Sequence, residues 1–264
     1  MDSSDGRIVF VGLMPHAPVL IPQVGQGRER EAREVVDAMT ELSRRMMKQR
    51  PDRLVLISPH SPRQQGRFGI WSETRIAGDL GRFRAQEVQI NLPMDAAFAG
   101  ALEEGICWEI RGEVLDHGAS VPLYFLTENG WDGPTTLLSL NYPGDGGLVE
   151  LGRAIAGVAG RLGGTTAVIA SGDMSHALIP GAPAGFEPRA KEFDARFVEL
   201  IKSRRYEEVQ RIDPVLQELA AEDVVDSSVI GAASVDWSAQ GAEFLAYQGP
   251  FGVGYSVAVL FADE

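Results

Sequence analysis

Short apolar runs alternate with longer amphipathic segments along most of this chain. Runs of the length and composition of strands buried on both faces occupy residues 8–14, 53–57, 135–140 and 166–170. Apolar positions that recur every three or four residues predict helices at 28–49, 96–104, 120–129, 148–162, 188–203 and 212–221. Strict alternation predicts half-exposed strands within 66–92, and a closing pair of strands is predicted at 243–247 and 253–261.

Strands that alternate with helices favour an α/β fold with a central, mainly parallel sheet and helices on both faces. The closing C-terminal strand pair completes this sheet. The chain shows no internal repeat and no low-complexity linker. We therefore predict a single domain over residues 8–264, preceded by a flexible N-terminal segment at residues 1–7.

Composition narrows the class of protein. The 264 residues are 44% hydrophobic, and 37 acidic residues against 24 basic ones argue against a surface for nucleic acid or anionic membranes. The single Cys107 excludes an internal disulfide framework and a cysteine-rich zinc module. No stretch reaches the roughly 18 apolar residues of a membrane span, and residues 1–7 lack the apolar core of a signal peptide. We expect a cytoplasmic protein.

All four histidines of the chain lie in short turns rich in Pro, Gly, Ser or Asp. They are His16 in Pro-His-Ala-Pro, His60 in Ser-Pro-His-Ser-Pro, His117 in Asp-His-Gly, and His176 in Gly-Asp-Met-Ser-His. Three of these turns directly follow a predicted strand, and open α/β sheets build their sites beyond the carboxyl ends of strands. Imidazole is the commonest metal ligand and the usual acid/base near neutral pH. The pattern predicts a metal site with a histidine acid/base.

His16 and His60 are the first candidate ligands. Prolines on both sides fix the backbone of each turn, which suits a side chain that must hold its position. The alternative is a pair of turn histidines, each with one hydrogen bond. His117 follows Asp116, whose carboxylate could orient the ring, although a plain histidine at a helix entry would have the same sequence.

His176 is either a general base or a third ligand. In the alternative interpretation, Asp173 or Ser175 caps a short helix at this point, and both interpretations can hold together. Two histidines and one carboxylate form the facial triad of non-haem Fe(II) oxygenases. Glu222 and Asp223, which end a helical pattern before the apolar run 229–233, are the candidate carboxylates. An acidic pair facing water would give the same sequence.

Taken together and in this order, the four histidine motifs resemble those of class III extradiol ring-cleavage dioxygenases, the LigB-like superfamily, over about residues 8–261. The resemblance implies that His16 and His60 hold Fe(II) together with a late carboxylate. The alignment puts Asp223 at that position, where the family usually has glutamate, and Glu222 is the alternative.

The same resemblance implies the remaining roles. His176 would be the catalytic base, and His117 would line the substrate pocket. The substrate would be a small aromatic diol. Its reaction with O₂ would open the ring at a bond next to the two hydroxyl-bearing carbons. The resemblance also leaves open a homo-oligomer or a small partner subunit, which some family members use.

Two further hypotheses stay open from the sequence. The tail Tyr-Gln-Gly-Pro-Phe-Gly-Val-Gly-Tyr at 247–255 resembles the Memo-like branch of this superfamily, including the AmmeMemoRadiSam system protein B group. That resemblance implies a metal-binding protein without ring cleavage, although the branch typically has cysteine at the late ligand position. The second hypothesis is a hydrolase that uses Zn(II) and a metal-bound water on the same histidines.

Overall fold

The computed structural model describes residues 6–142 and 146–263 of the chain. The strands of this part are β1 (Arg7–Met14), β2 (Arg53–Ser58), β3 (Phe68–Trp71), β4 (Arg75–Leu80), β5 (Ala85–Pro93), β6 (Cys107–Ile110), β7 (Thr135–Ser139), β8 (Thr165–Ser171), β9 (Glu243–Gln248) and β10 (Tyr255–Ala262). The α-helices are α1 (Pro22–Gly25), α2 (Arg33–Lys48), α3 (Ala96–Ile106), α4 (His117–Glu128), α5 (Leu148–Leu162), α6 (Ala190–Lys202), α7 (Pro214–Ala220) and α8 (Val225–Ala233).

One sheet of eight strands organises the domain, in the order β6-β3-β7-β2-β8-β1-β10-β9. The four central strands β7, β2, β8 and β1 run parallel to one another. At one edge, β10 and β9 add an antiparallel pair, and at the other edge β3 and β6 run antiparallel to β7. Strands β4 and β5 form a separate two-stranded ribbon.

Both faces of the sheet are covered. Successive residues of a strand point to opposite faces, and in β2 Val55 and Ile57 join one apolar core while Leu54 and Leu56 join the other. Helices α3, α5, α6 and α8 cover the first face, and α2 and α4 cover the second. The predicted fold class, a single α/β domain with a mainly parallel sheet and a C-terminal strand pair, is confirmed.

Several predicted boundaries are wrong. Residues 28–49 do not form one helix, because Arg28–Ala32 is a 3-10 turn that precedes α2. Strand β6 was not predicted, since it follows α3 directly and is only four residues long. Residues 1–5, most of the segment predicted to be flexible, lie outside the described residues, while Arg7 already belongs to β1. No helix in the described part of the chain has the length and apolar character needed to cross a membrane.

Candidate metal centre

The site lies at the carboxyl edge of the three adjacent strands β2, β8 and β1. His16 follows β1, His60 follows β2, and the turn from Gly172 to His176 follows β8, which lies between the other two strands. Parallel strands end at the same edge of a sheet, so turns that are far apart in sequence meet here. This arrangement brings three of the four histidine turns together.

Two histidine nitrogens and one carboxylate oxygen form a compact triangle. The two Nε2 atoms of His16 and His60 are 3.0 Å apart, and Oδ2 of Asp223 lies 3.4 Å from the first and 3.1 Å from the second. Ligand atoms about 2.0–2.2 Å from one ion are roughly 2.8–3.6 Å apart when they occupy neighbouring corners of an octahedron or a tetrahedron. The donor set therefore fits a single metal ion, although the ligand roles themselves stay predictions.

The hydrogen bonds of His16 prepare its Nε2 for a metal. The hydroxyl of Ser171 donates to the carbonyl oxygen of Gly118 at 2.6 Å, so the Ser171 oxygen must accept from Nδ1 of His16, 3.0 Å away. A proton on Nδ1 leaves the lone pair of the neutral ring on Nε2. His16 is buried, and its backbone N–H donates to Oδ1 of Asp173 at 2.8 Å, which fixes the turn as well as the ring.

Asp223 reaches the site because the segment before α8 is bonded to the turn after β8. The Asp223 N–H donates to the Asp173 carbonyl at 3.1 Å, and Oδ1 of Asp223 accepts from the Asp173 N–H at 2.7 Å. Gly172 allows this approach, since a Cβ there would lie 2.4 Å from the Cα of Val224. With Oδ1 occupied in this way, Oδ2 is the oxygen directed to the histidines.

Glu222 has a different task. Its Oε2 accepts hydrogen bonds from the backbone N–H groups of Val224 and Val225, at 2.7 and 2.9 Å, and so satisfies donors at the start of α8. Burial raises the pKa of Glu222 to about 8, against the effect of these hydrogen bonds. Of the two neighbouring carboxylates, the structure brings only Asp223 into contact with His16 and His60.

Charge at the site favours a cation at Nε2 of His16. Burial alone would lower the pKa of His16, but the negative charges of Asp173 and Asp223 outweigh it and raise the pKa to about 9. Burial alone would raise the pKa of Asp223, but His16 and His60 hold it well below its usual range. A pocket that stabilises a proton at this nitrogen in this way also stabilises a metal cation.

His117 lies beside the triangle as the first residue of α4. Its ring stacks on that of His60, with centroids 4.2 Å apart, and the ligand nitrogens of His16, His60 and His117 lie within 4.8 Å of one another. Burial, with the nearby charges of His60 and His16, lowers the pKa of His117 to about 4. The ring is therefore neutral at physiological pH, and His117 is also placed to join a three-histidine metal site.

The carboxylate of Asp116 holds the neighbouring turn, contrary to the hypothesis that it orients the His117 ring. Oδ1 of Asp116 accepts from the hydroxyl of Ser58 at 2.6 Å and from the Ala119 N–H at 3.1 Å, while Oδ2 accepts from the hydroxyl of Ser61 at 2.6 Å. Asp116 thus caps α4 and binds both sides of the turn that carries His60. Both oxygens of the carboxylate are engaged in this way.

His176 lines a cavity of about 420 Å³ together with His117 and Asp173. The ring nitrogen Nδ1 of His176 is buried and has no hydrogen-bond partner among the described residues. The backbone N–H of His176 donates to the Ala220 carbonyl at 2.8 Å. The alternative interpretation, a short helix capped by Asp173 or Ser175, is wrong, because the segment that follows this turn has no regular structure before α6. Asp173 instead bonds the His16 turn.

Comparison with known proteins agrees with this architecture. The sequence model of the catalytic LigB subunit of aromatic ring-opening dioxygenase matches residues 11–258, which is most of the chain. The chain belongs to the LigB family. The resemblance seen in the histidine motifs is thereby confirmed at the level of the family.

Two individual relatives add to the family assignment. Protein CA_C1420 from Clostridium acetobutylicum is 26% identical over 265 residues, which covers 95% of this chain but only 57% of that protein. The crystal structure of uncharacterized protein JW3007 from Escherichia coli K12 superposes with a TM-score of 0.61 at 15% identity, covering 95% of this chain and 98% of the other. Because the identity is only 15%, the likeness to JW3007 supports the fold of this LigB protein and nothing further.

Sequence reasoning missed the residues that support the LigB site. Ser58 and Ser171 each end a buried strand with a hydroxyl, next to a histidine turn. A polar residue at the last position of an apolar strand was the available signal. Arg28, Phe251 and Tyr255 also line the cavity, and no local pattern marked them as neighbours of His176.

Proposed function

We propose that this LigB protein is an Fe(II)-dependent extradiol-type dioxygenase that opens the ring of a catechol or a related ortho-substituted phenol. The observation that carries the proposal is the triangle of two imidazole nitrogens and one carboxylate oxygen beside a cavity lined by two further histidines. Three protein ligands on one side of an ion leave positions for both reactants. Family membership supports dioxygenase-type chemistry.

His16, His60 and Asp223 would hold the metal. Bound there, Fe(II) would bring the diol and O₂ together and pass electrons between them. The protein contributes the geometry and charge of the ligand set, which Ser171 and Asp173 hold from behind. The carboxylate of Asp223, whose pKa His16 and His60 hold well below its usual range, would offset part of the ion's charge.

His176 would move the proton. Because its Nδ1 is buried, Nε2 is the nitrogen left to meet a substrate in the cavity. In the proposed role this nitrogen takes a proton from a substrate hydroxyl and returns it after oxygen has been added to the ring. His117, neutral because its pKa is lowered to about 4, would hydrogen-bond a substrate oxygen.

The second candidate function is a zinc hydrolase. The approach of His16, His60 and His117 to within 4.8 Å favours it, because three imidazoles are a common ligand set for catalytic zinc. In that case His117 would be a ligand. A metal-binding role without ring cleavage would use the same residues.

Metal content and oxygen consumption, measured in one preparation, test the proposal. Protein purified without oxygen should contain about one iron per chain, and a panel of catechols should include a member that consumes O₂ in equal amount while a yellow ring-opened product forms. Zinc in place of iron, with hydrolysis of an ester or amide panel, would support the second candidate. Full iron loading without oxygen uptake across the panel would contradict ring cleavage.

A further inference from the structure

Asp194 is a buried acidic residue that the proposed mechanism does not use. It lies in α6, and only 1% of the residue is exposed to solvent. An aspartate is rarely buried to this extent unless its carboxylate is paired or hydrogen-bonded. The partners of this carboxylate lie in the turn that carries His176 and in strand β9.

The carboxylate joins these two segments. Oδ1 of Asp194 accepts from the Ser175 N–H at 2.9 Å, and Oδ2 accepts from the hydroxyl of Tyr247 at 2.7 Å. Burial raises the pKa of Asp194 to about 6, against the effect of these two hydrogen bonds. The group is therefore mostly ionised near neutral pH, and each of its oxygens holds one donor.

The hydrogen bond to Ser175 belongs to a set that fixes the backbone around His176. The five consecutive N–H groups at 173–177 all donate to acceptors. The His176 N–H donates to the Ala220 carbonyl at 2.8 Å, an acceptor that no side-chain substitution removes. The acceptor for the Ser175 N–H is different, because it depends on the side chain of Asp194.

This bond bears on the imidazole of the next residue. Ser175 and His176 share a peptide unit, so a rotation of the Ser175 backbone displaces the His176 ring. Nδ1 of His176 is buried and has no hydrogen-bond partner among the described residues, so no hydrogen bond at this nitrogen fixes the ring. The position of the ring therefore depends on the backbone that carries it. Misplacement of a reacting group by about 1 Å can lower a rate by about 100-fold.

We propose that Asp194 is a positioning residue that holds His176 in place through the Ser175 N–H. The inference rests on the ring-opening function proposed above, because that function makes His176 the base. Asp194 does not line the cavity of His176 and would touch neither substrate nor metal. It would act only through the turn.

Two substitutions test whether the acceptor oxygen is what matters. Asp194→Asn keeps an acceptor for the Ser175 N–H, and its amide can donate to the Tyr247 oxygen, so kcat should stay within about threefold of its original value. Asp194→Ala removes the acceptor, and kcat should fall about 10–100-fold. Iron content, and the affinity for catechol measured by calorimetry without oxygen, should be unchanged in both variants. An unchanged kcat per iron-loaded chain in Asp194→Ala would overturn the inference.

Asp52→Ala is a matched control at the other end of β8. The carboxylate of Asp52 also accepts from one N–H and one hydroxyl, both of Thr165, at 2.7 and 2.9 Å. Thr165 is the first residue of β8, whereas the His176 turn follows its last. Asp52→Ala should lower the stability of the protein without lowering kcat.

Tyr247→Phe keeps the test open if Asp194→Ala does not fold. Tyr247 is 37% exposed, so loss of its hydroxyl leaves the apolar core intact. Oδ2 of Asp194 loses its donor, and kcat should fall about threefold, because the acceptor of the Ser175 N–H remains but is held less firmly. An unchanged kcat in Tyr247→Phe, together with an unfolded Asp194→Ala, would overturn the inference.

NMR of the zinc-loaded protein tests the position of His176 without turnover. Labelling of the histidine rings with ¹⁵N makes the four imidazoles visible, and His176→Ala identifies the signal of His176. We expect one sharp signal from this ring in the unaltered protein and in Asp194→Asn. In Asp194→Ala the signal should broaden or divide as the ring exchanges between positions, while the signals of His16 and His60 stay unchanged. An unaltered His176 signal in Asp194→Ala would overturn the inference.

The two measurements separate this inference from the proposed function. Oxygen uptake by the unaltered protein, with equal kcat and an unaltered His176 signal in Asp194→Ala, would leave ring cleavage standing and overturn the role of Asp194. The expected change of the His176 signal, in a protein that consumes no O₂ with any catechol, would contradict ring cleavage and leave Asp194 as the residue that positions His176.

Discussion

We predict that Asp116→Asn weakens metal binding by more than its effect on stability explains. The carboxylate accepts two short hydrogen bonds, from Ser58 and Ser61, which flank His60 in one turn. The Ser58 oxygen in turn accepts from the His60 N–H at 3.2 Å, and the Ser61 oxygen accepts from Nε1 of Trp71 at 3.1 Å. The carboxylate of Asp116 therefore fixes the turn that carries His60, a proposed metal ligand.

The magnitude follows from these contacts. Asparagine keeps one acceptor oxygen but removes the other, so the hydroxyl of Ser61 loses its acceptor and the bond from Ser58 becomes a neutral one. A hydrogen bond to a charged group contributes about 1.5–3 kcal/mol, and a neutral one about 1 kcal/mol. We expect the free energy of unfolding to fall by about 2–3 kcal/mol, which a domain of ordinary stability survives. Loss of support for a ligating histidine typically weakens metal binding by about 10–100-fold.

Asp95 offers a matched control for this prediction. Its carboxylate caps α3 by accepting from the Phe98 N–H at 3.0 Å and also binds Arg53 at 3.1 Å, near the start of β7 and away from the histidine edge. Asp95→Asn should lower stability in urea unfolding to a similar extent and leave the affinity measured by chelator competition unchanged. Unaltered metal affinity in Asp116→Asn, with stability reduced as in the control, would refute the positioning role.

Three further predictions concern the ligands and the base. His60→Ala and His16→Ala should each lose most bound iron by metal analysis, and His16→Ala should also unfold more easily because His16 is buried. Asp223→Asn should weaken metal binding at least about tenfold. Glu222→Gln should retain metal binding, because Glu222 accepts hydrogen bonds only from backbone groups at the start of α8. The reverse result would assign the ligand role to Glu222. His176→Ala should keep its iron and lose about 10²–10⁴ in turnover, and parallel loss of iron would make His176 a ligand.

The parts of the fold that the sequence predicts are those specified by local periodicity. The four central strands and the helices that flank them follow from apolar spacing, and the histidine turns follow from Pro and Gly placed directly after strands. Strand β6 lacks such a signal, because its four residues continue from α3 without a turn residue. The break before α2 lies at Ala32, whose backbone leaves the helical range at φ −109° and ψ 30°, in a stretch that otherwise has the apolar spacing of one helix.

The distinction between Asp223 and Glu222 shows what local pattern lacks. Both are acidic neighbours at the end of a helical segment, and nothing within that segment says which one turns inward. The choice depends on a pair of hydrogen bonds between Asp223 and Asp173, which are 50 residues apart in the chain. The family resemblance and the contacts with His16 and His60 single out the same carboxylate, Asp223, and its role as a metal ligand stays a prediction.

The tail motif at 247–255 resembles the Memo-like branch, but its contacts do not distinguish that branch from the ring-cleaving enzymes. The Met174 N–H donates to the Gly254 carbonyl and the Gly254 N–H donates to the Ser175 carbonyl, both at 2.8 Å. The carboxylate of Asp194 accepts hydrogen bonds from the Ser175 N–H at 2.9 Å and from the hydroxyl of Tyr247 at 2.7 Å. Only glycine fits at position 254, because a Cβ there would lie 2.1 Å from the Asp194 carboxylate.

The glycines and aromatic residues of the tail thus hold the turn that carries His176. A protein that needs this turn needs such a support whether the histidine serves ring cleavage or only a bound metal. The tail is therefore explained by its support of this turn, and its resemblance to the Memo-like branch does not decide between ring cleavage and metal binding alone. The choice between these functions rests on the proposed ligands at the end of β1, at the end of β2 and before α8, and on His176, and those are the residues that the experiments above change.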